Sequence, residues 1–197
     1  MPKTNLINFV RNEGNMQEFA TQAGDELYWR QPKTGARYFE LFRGEQAFGS
    51  LEFRSLWGTL AAAKNPIQDW SFKRMGFMNP HVTIRHPGAE SDYALYFPKV
   101  FGGGTLQLLD GRPFAWEPVN FWRTQWRFTD KNGSPIMRFD QGSEERRMSE
   151  FAKLESRVKI ESSRITNQEF SLMASLGFYL MALYQADAAA AGNALSN

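Results

Sequence analysis

The sequence contains no cysteine among its 197 residues. Disulfide bonds and thiolate metal sites are therefore excluded. Histidine is almost as scarce, with two residues, and the formal net charge is only +2, from 23 basic and 21 acidic side chains. So small a charge supplies no dominant field for attracting nucleic acid or an anionic membrane, although it is compatible with a local basic patch. We therefore expect no nucleic-acid partner.

The N-terminus lacks a long apolar run. The stretch "LINFV", residues 6–10, ends at Arg11 and is shorter than the apolar region of a signal peptide. We therefore expect no export and a cytoplasmic protein, with peripheral attachment to a membrane as a compatible alternative. The length and a hydrophobic content of 42% are enough for one domain with a sizeable core. We assign that domain to residues 26–197, after a segment, 1–25, whose structure the sequence does not predict.

A series of strand patterns is what the sequence does contain. Segments rich in β-branched and aromatic residues alternate with turn signals about every eight to twelve residues, which is typical of an all-β sandwich or barrel. The dipeptides Asp110-Gly111 and Asn132-Gly133 predict tight hairpins between antiparallel neighbours. Twelve candidate strands can be counted, at 26–31, 37–43, 47–55, 57–64, 69–75, 81–87, 92–99, 104–110, 112–119, 124–130, 135–141 and 150–161.

Apolar and polar residues alternate along these segments. Val82 and Ile84, for example, alternate with Thr83 and Arg85. Because successive strand residues point to opposite faces, each strand has one apolar face. That face must be covered by a second sheet, by closure of the sheet on itself, or by a helix.

One long apolar segment, residues 170–186, carries no charged side chain and is a candidate for that helix. Thr166 and Glu169 form a capping box that predicts its start, and Gly192 predicts its end. Apolar side chains occupy every side of the helical wheel, which predicts that the helix is enclosed all round.

The segment has two possible environments, a protein core and a membrane. A membrane span needs about 20 apolar residues, whereas residues 170–184 are 15. A longer span would place Asp187 in hydrocarbon, where an aspartate costs about 3 kcal/mol. We therefore predict a mainly β protein, a twelve-stranded antiparallel barrel that encloses a hydrophobic C-terminal α-helix, with a membrane tail anchor as the alternative.

The number and order of these elements, the final "LMASLGFYLMALY", and the run "FGGGTLQLLDGRPFAWEPVNFWRTQWRFTDKNGSPIMRF" resemble the tubby C-terminal-like superfamily. That superfamily includes the plant LURP-one-related proteins and the phospholipid scramblases. The resemblance covers residues 26 to about 192 and implies a twelve-stranded barrel around a central helix. Tubby proteins bind phosphoinositide headgroups through basic residues, and scramblases carry a calcium-associated segment, but neither motif can be placed on this sequence residue by residue.

No set of residues forms a recognisable catalytic or cofactor site. The glycine-rich "FGGGTL", residues 101–106, precedes a strand pattern, which predicts a bend or bulge and not a phosphate-binding loop. His81 and His86 are five positions apart and should lie on opposite faces of a strand, both at the surface, so that they cannot share a metal ion. The charged run "DQGSEERRMSE", residues 140–150, is typical of a solvated loop. We therefore expect no enzymatic activity, metal or cofactor.

Two surfaces are candidates for binding. Phe121 and Trp122 lie in a predicted turn beside Arg123, and the three would form an exposed tip for contact with a partner or a lipid, or fold back to close one end of the barrel. The wider aromatic set to which they belong is predicted to pack mostly in the core. It comprises Trp57, Trp70, Trp116, Phe121, Trp122 and Trp126.

The second surface is a possible patch for an anionic headgroup. If the strand from 69 and the strand from 81 form a hairpin, Lys73 lies opposite Thr83 and diagonal to Arg85. Two cations and a hydroxyl could hold a phosphate group, although a solvated face that Asp69 partly neutralises is the alternative.

We therefore predict a non-enzymatic binding module that engages an anionic phospholipid surface or a partner protein through the barrel exterior. The alternative is a carrier of an apolar ligand, or an enzyme of unknown type, that uses a cleft at one end of the barrel.

Overall fold

The computed structural model describes residues 22–100, 102–141 and 153–195. Twelve antiparallel strands follow one another around a closed barrel in which β12 pairs with β1, and one helix follows them. The predicted fold class is confirmed, and each candidate strand overlaps one observed strand. The elements are β1 (Glu26–Arg30), β2 (Tyr38–Arg43), β3 (Gln46–Phe53), β4 (Ala61–Lys64), β5 (Trp70–Met75), β6 (His81–Arg85), β7 (Ala94–Pro98), β8 (Gly104–Leu108), β9 (Pro113–Pro118), β10 (Gln125–Thr129), β11 (Pro135–Asp140), β12 (Ser156–Ile160) and α1 (Asn167–Leu195).

The two predicted glycine turns join antiparallel neighbours, but their loops, 109–112 and 130–134, are longer than the two-residue hairpins that the dipeptides favour. Only the glycines take positive φ, 89° at Gly111 and 78° at Gly133. In the second loop the Asp130 carboxylate accepts hydrogen bonds from the backbone N–H groups of Asn132 and Ser134, at 2.8 and 2.9 Å. This side-chain turn stabilises the longer loop.

The connections between strands alternate between the two ends of the barrel, because every strand runs antiparallel to the next. The helix begins after β12 at one end, which we call the N end, and its C-terminal part emerges at the other, the C end. The described C-end loop residues are 31–37, 54–60, 76–80, 99–100, 102–103, 119–124, 141 and 153–155, and the N-end segments are 22–25, 44–45, 65–69, 86–93, 109–112, 130–134 and 161–166.

The helix fills the interior of the barrel, as predicted. Every residue from Glu169 to Met181 is buried. The predicted capping box is confirmed: the Thr166 N–H donates to the Glu169 carboxylate at 2.8 Å, and the Glu169 N–H donates to the Thr166 hydroxyl at 3.2 Å. Over its described length, α1 falls short of the apolar character that a bilayer-spanning helix requires.

The predicted stop at Gly192 is wrong, since α1 continues to Leu195. A glycine ends a helix by adopting a left-handed conformation, and Gly192 is not among the glycines with positive φ. The alanine-rich turn before it, residues 188–191, favours continued helix.

Polar contacts fix the helix to the strands that surround it. The side-chain amide of Asn65 and the indole N–H of Trp70 both donate to the Ser171 hydroxyl at 2.8 Å. Nearer the C end, the Tyr179 hydroxyl donates to the Thr59 carbonyl at 2.7 Å. These buried groups can form their hydrogen bonds only when the helix lies at one axial position in the barrel. The contacts therefore define the position of the helix.

Two predictions fall largely outside the described residues. These are the N-terminal segment, 1–25, of which only 22–25 are described, and the charged run, 140–150, of which only Asp140 and Gln141 are described.

Candidate functional site

Large apolar side chains are exposed mainly at the C end. They lie on four consecutive loops, those between β3 and β4, β5 and β6, β7 and β8, and β9 and β10. Among the described loop residues, Leu109 is the large apolar side chain exposed at the N end. We call the exposed C-end residues the apolar rim: Leu56, Trp57, Leu60, Phe77, Met78, Val100, Phe121 and Trp122.

The apolar rim combines with mainly positive charge. The described C-end loop residues include six cations and one carboxylate, whereas the N-end segments contain eight carboxylates and three cations. Among the described loop residues, the charge is therefore mainly positive at the C end and mainly negative at the N end. The C-end cations are Lys33, Arg37, Arg54, Lys99, Arg123 and Lys153, with Glu155 as the carboxylate; the N-end carboxylates are Asp25, Glu45, Asp69, Glu90, Asp92, Asp110, Asp130 and Glu161, with Arg112, Lys131 and Arg164 as the cations.

The predicted tip divides into two parts. Phe121 and Trp122 are exposed, and their rings meet edge to face with centroids 5.2 Å apart. Arg123 turns back towards the barrel with a φ of 54°. Its guanidinium donates to the Tyr184 hydroxyl at 2.8 Å and lies 5.5 Å from the centre of that ring. Arg123 thus covers the last buried turns of α1, while the two aromatic rings project outward.

The prediction that the aromatic set packs mostly in the core holds for Trp70, Trp116 and Trp126 but is wrong for Trp57, whose side chain is 96% exposed. Trp57 is the first residue of the candidate strand 57–64. In the structure β4 begins only at Ala61, so that Trp57 lies in the preceding loop.

A pocket of about 310 Å³ opens at the C end between the C-terminal half of α1 and strands β5, β6, β7, β9 and β10. We call it the mouth pocket. Its walls include the exposed Lys99 and Val100 at the surface and the buried Trp116, Trp126 and Leu183 further in. The pocket therefore extends from the apolar rim into the core.

The glycine-rich run shapes one wall of the mouth pocket. Gly102 and Gly103 have φ of 92° and 74°, as the predicted bend requires. A Cβ on Gly102 would lie 3.3 Å from the Arg123 guanidinium carbon, and one on Gly104 would lie 2.5 Å from the Tyr96 hydroxyl oxygen. The absence of side chains at these positions makes room for the two polar groups against the backbone.

The lining of the mouth pocket includes three cations and one carboxylate. Arg74 and Asp187 pair through two hydrogen bonds of 2.6 and 3.1 Å, and Lys99 and Arg123 are the other two cations of the lining. Tyr96 is only 4% exposed, and burial raises the pKa of its hydroxyl. That hydroxyl has no hydrogen-bond partner among the described residues, and it stays protonated as a donor.

The residues of the predicted headgroup patch occupy the expected register. Lys73 pairs with Thr83, and Ser71 pairs with Arg85, so Lys73 lies diagonal to Arg85 on the outer face. Asp92 partners the arginine, because the Arg85 Nε donates to the Asp92 carboxylate at 2.6 Å. The Lys73 side chain is exposed.

The two histidines lie on opposite faces, as predicted, but His86 is half-buried and its ring packs against the core. Its ring stacks on the buried Trp70 with centroids 4.8 Å apart and also contacts Tyr93 at 5.2 Å. His86 follows the last residue of β6 and continues its inward alternation, which places the ring against the core. His81 lies on the outer face, 6.2 Å from the Phe97 ring.

In the part of the chain that the structure describes, no group of three histidine, aspartate or glutamate side chains is placed to hold a metal ion. Comparison of the chain with protein-family models, with curated proteins and with solved structures finds no match. No function can therefore be transferred to it from a relative.

Proposed function

We propose that the protein is a non-enzymatic module that binds the surface of anionic phospholipid membranes through the C end of its barrel. The observation that supports this proposal is the apolar rim, which lies on four loops at the C end, where the described loop residues include six cations and one carboxylate.

The apolar rim suits the boundary between headgroups and acyl chains. Trp57, Phe77 and Phe121 are 96%, 97% and 87% exposed, so their burial in a bilayer would release almost all of their apolar surface from water. Burial of one such side chain contributes about 1.5 to 3 kcal/mol. Because the three residues belong to different loops, their simultaneous insertion would also fix the orientation of the barrel on the membrane.

Charge complementarity favours an anionic membrane over a neutral one. Each cation close to an anionic surface contributes about 1 kcal/mol, and binding of this kind depends on buried apolar area together with attraction to anionic lipids. The carboxylate-rich N end would be repelled by the same surface. Attraction at one end and repulsion at the other orient the barrel in the same sense as the apolar rim.

The resemblance to the tubby-like superfamily, in which tubby proteins bind phosphoinositides, agrees with this proposal and stays a prediction. A partner protein could also cover an apolar rim. Salt-dependent preference for anionic vesicles is the property that separates the membrane from a protein partner.

The test is co-sedimentation with vesicles of phosphatidylcholine alone and with added phosphatidylserine, at low and high salt. We expect binding to the anionic vesicles that weakens as salt rises. The triple variant Trp57→Ser, Phe77→Ser, Phe121→Ser should weaken that binding at least about tenfold, since the lost burial corresponds to more than about 1.4 kcal/mol.

Leu109→Ser is the matched control, because Leu109 is exposed at the N end and should not touch the membrane. The proposal fails if the wild-type protein does not bind anionic vesicles at low salt. It also fails if the triple variant binds as tightly as the Leu109→Ser protein.

A further inference from the structure

We infer that the mouth pocket binds the hydrocarbon chain of an anionic single-chain amphiphile and holds the anionic head beside Lys99 and Arg123. The inference rests on the proposed function in one respect, since a pocket that opens on the membrane-facing end can take its ligand from the bilayer.

The size of the mouth pocket fits a single chain. Its volume of about 310 Å³ lies at the lower limit of ligand pockets, which is about 300 Å³. If a methylene group fills about the volume of one liquid water, about 30 Å³, a chain of up to about ten carbons fills the pocket from the core to the opening and leaves the anionic head at the opening. Two chains of that length would not fit.

The inner lining is suited to hydrocarbon. Trp116 and Trp126 contribute stacked rings with centroids 5.3 Å apart, and Leu180, Met181 and Leu183 face them from α1. All five side chains are buried. A cavity with such walls gives water few hydrogen-bond partners, and an alkyl chain is the ligand that such walls favour.

The outer part of the mouth pocket is suited to an anion. Lys99 is exposed beside the opening, and the Arg123 guanidinium lies against Gly102. The Tyr96 hydroxyl lies against Gly104, two residues along the same glycine run. Two cations and a protonated hydroxyl thus gather at one segment of the wall, where they can make charge-assisted hydrogen bonds to a carboxylate or a phosphate.

The ligand can come from solution, as a fatty-acid-type carboxylate, or from a membrane, as a monoacyl phospholipid. The shared chemistry is one alkyl chain with an anionic head. Both sources are tested separately, with decanoate in solution and with vesicles that carry a monoacyl phosphatidate.

The first experiment is a calorimetric titration of the full chain with decanoate, octanoate and decan-1-ol, without vesicles, with tryptophan fluorescence as a second readout because Trp116 and Trp126 line the pocket. We expect decanoate to bind more tightly than octanoate by about fourfold per methylene and more tightly than decan-1-ol. Absence of decanoate binding, or equal affinity for the two chain lengths, would overturn the inference.

The head position is tested by the double variant Lys99→Gln, Arg123→Asn, in which asparagine tolerates the positive φ at 123. We expect about tenfold weaker decanoate binding and little change for decan-1-ol. The matched control is Lys64→Gln, Lys131→Gln, which removes two exposed lysines near the N end. Equal loss of decanoate affinity in the two double variants would place the head elsewhere and contradict the inference.

The chain position is tested by Leu183→Trp, which fills the pocket from the helix side. We expect loss of decanoate binding in a protein whose thermal unfolding stays cooperative. If this variant does not fold, the chain-length series on the wild-type protein still decides the matter.

The same proteins separate this inference from the proposed function. If Leu183→Trp loses decanoate but still sediments with anionic diacyl vesicles, docking and the pocket are distinct, as we expect. If wild-type protein binds these vesicles but not decanoate, the pocket inference is wrong and the proposed function stands.

If the wild-type protein binds decanoate but no vesicles, the proposed function is wrong and the ligand comes from solution. Tighter sedimentation with monoacyl phosphatidate than with diacyl lipid of equal charge identifies the bilayer as the source.

Discussion

The ring of Phe139 on β11 lies against the backbone of Gly177 in the middle of α1. A Cβ at Gly177 would come within 2.7 Å of the Phe139 Cε2 atom, which is closer than side chains approach one another. Glycine inside a helix normally lowers its stability. Because Gly177 has no side chain, the helix and the barrel wall can approach each other closely. The fold requires this contact.

Gly177→Leu should therefore abolish soluble expression, and Gly177→Ala should lower the free energy of unfolding by about 1 to 3 kcal/mol, because added atoms overpack a close-packed core. Gly192→Ala is the matched control. Gly192 belongs to the same helix, but a Cβ there meets no atom within 4 Å, so the change should raise stability by up to about 1 kcal/mol. Urea unfolding measures both, and a stability loss at 192 equal to that at 177 would contradict the packing argument.

The buried hydroxyl of Ser171 is the second point at which the helix depends on the barrel. Ser171→Ala would leave the Asn65 amide and the Trp70 indole N–H without their acceptor. Each buried donor left unpaired costs about 1 to 3 kcal/mol. We expect a loss of about 2 to 5 kcal/mol in urea unfolding. Ser175→Ala is the control, since Ser175 is buried one turn later and no described strand residue hydrogen-bonds to its side chain.

The strands and the central helix could be predicted because their signals are local. Alternation at Val82 and Ile84 predicts an inward face, and the pair Thr166 and Glu169 predicts a cap, whatever the rest of the chain does. The twelve strands and a helix of matching length then leave few ways to cover the apolar faces. The end of the helix was not predicted correctly from Gly192. A glycine ends a helix only when it adopts a left-handed conformation, and the sequence does not specify that conformation.

The candidate site was predicted only in part. Phe121 and Trp122 were recognised from one turn, but the rim also needs Trp57, Phe77 and Val100, which come together only when the barrel brings alternate loops to one end. A signal was present, since large apolar residues recur in every second loop from 54–60 to 119–124. The mouth pocket had no such signal, because its walls come from α1 and from strands far from it in sequence.

Buried tyrosines should make the protein less stable in alkali. Burial raises the pKa of Tyr96 and of Tyr179, and burial together with Glu40 raises the pKa of Tyr38 to about 12 from an ordinary value of 10.0. Between pH 10 and 12 the unfolded chain has lost protons that the folded chain keeps, so the free energy of unfolding falls as pH rises.

Tyr96→Phe provides the comparison. This variant lacks one of the buried hydroxyls. Its free energy of unfolding should therefore decrease less steeply with pH, by up to about 1.4 kcal/mol per pH unit. Urea unfolding at several pH values measures this slope. An identical slope in the variant and the wild-type protein would show that Tyr96 titrates normally.

The patch of Lys73, Thr83 and Arg85 offers a second anionic contact, on the barrel wall and not on the rim. If it binds headgroups, Lys73→Glu with Arg85→Glu should weaken sedimentation with anionic vesicles at least about tenfold and flatten its salt dependence.

Asp92 allows a test in the opposite direction. Its carboxylate now neutralises Arg85, so Asp92→Asn should release one cation and strengthen anionic-vesicle binding about fivefold, the equivalent of about 1 kcal/mol. Glu90→Gln removes a carboxylate from the same loop and is the control, because no ion pair joins Glu90 to Arg85 among the described residues. If Asp92→Asn and Glu90→Gln change the affinity equally, the gain is a general charge effect. If neither they nor the Lys73 and Arg85 double variant change it, the wall patch takes no part in binding and the apolar rim acts alone.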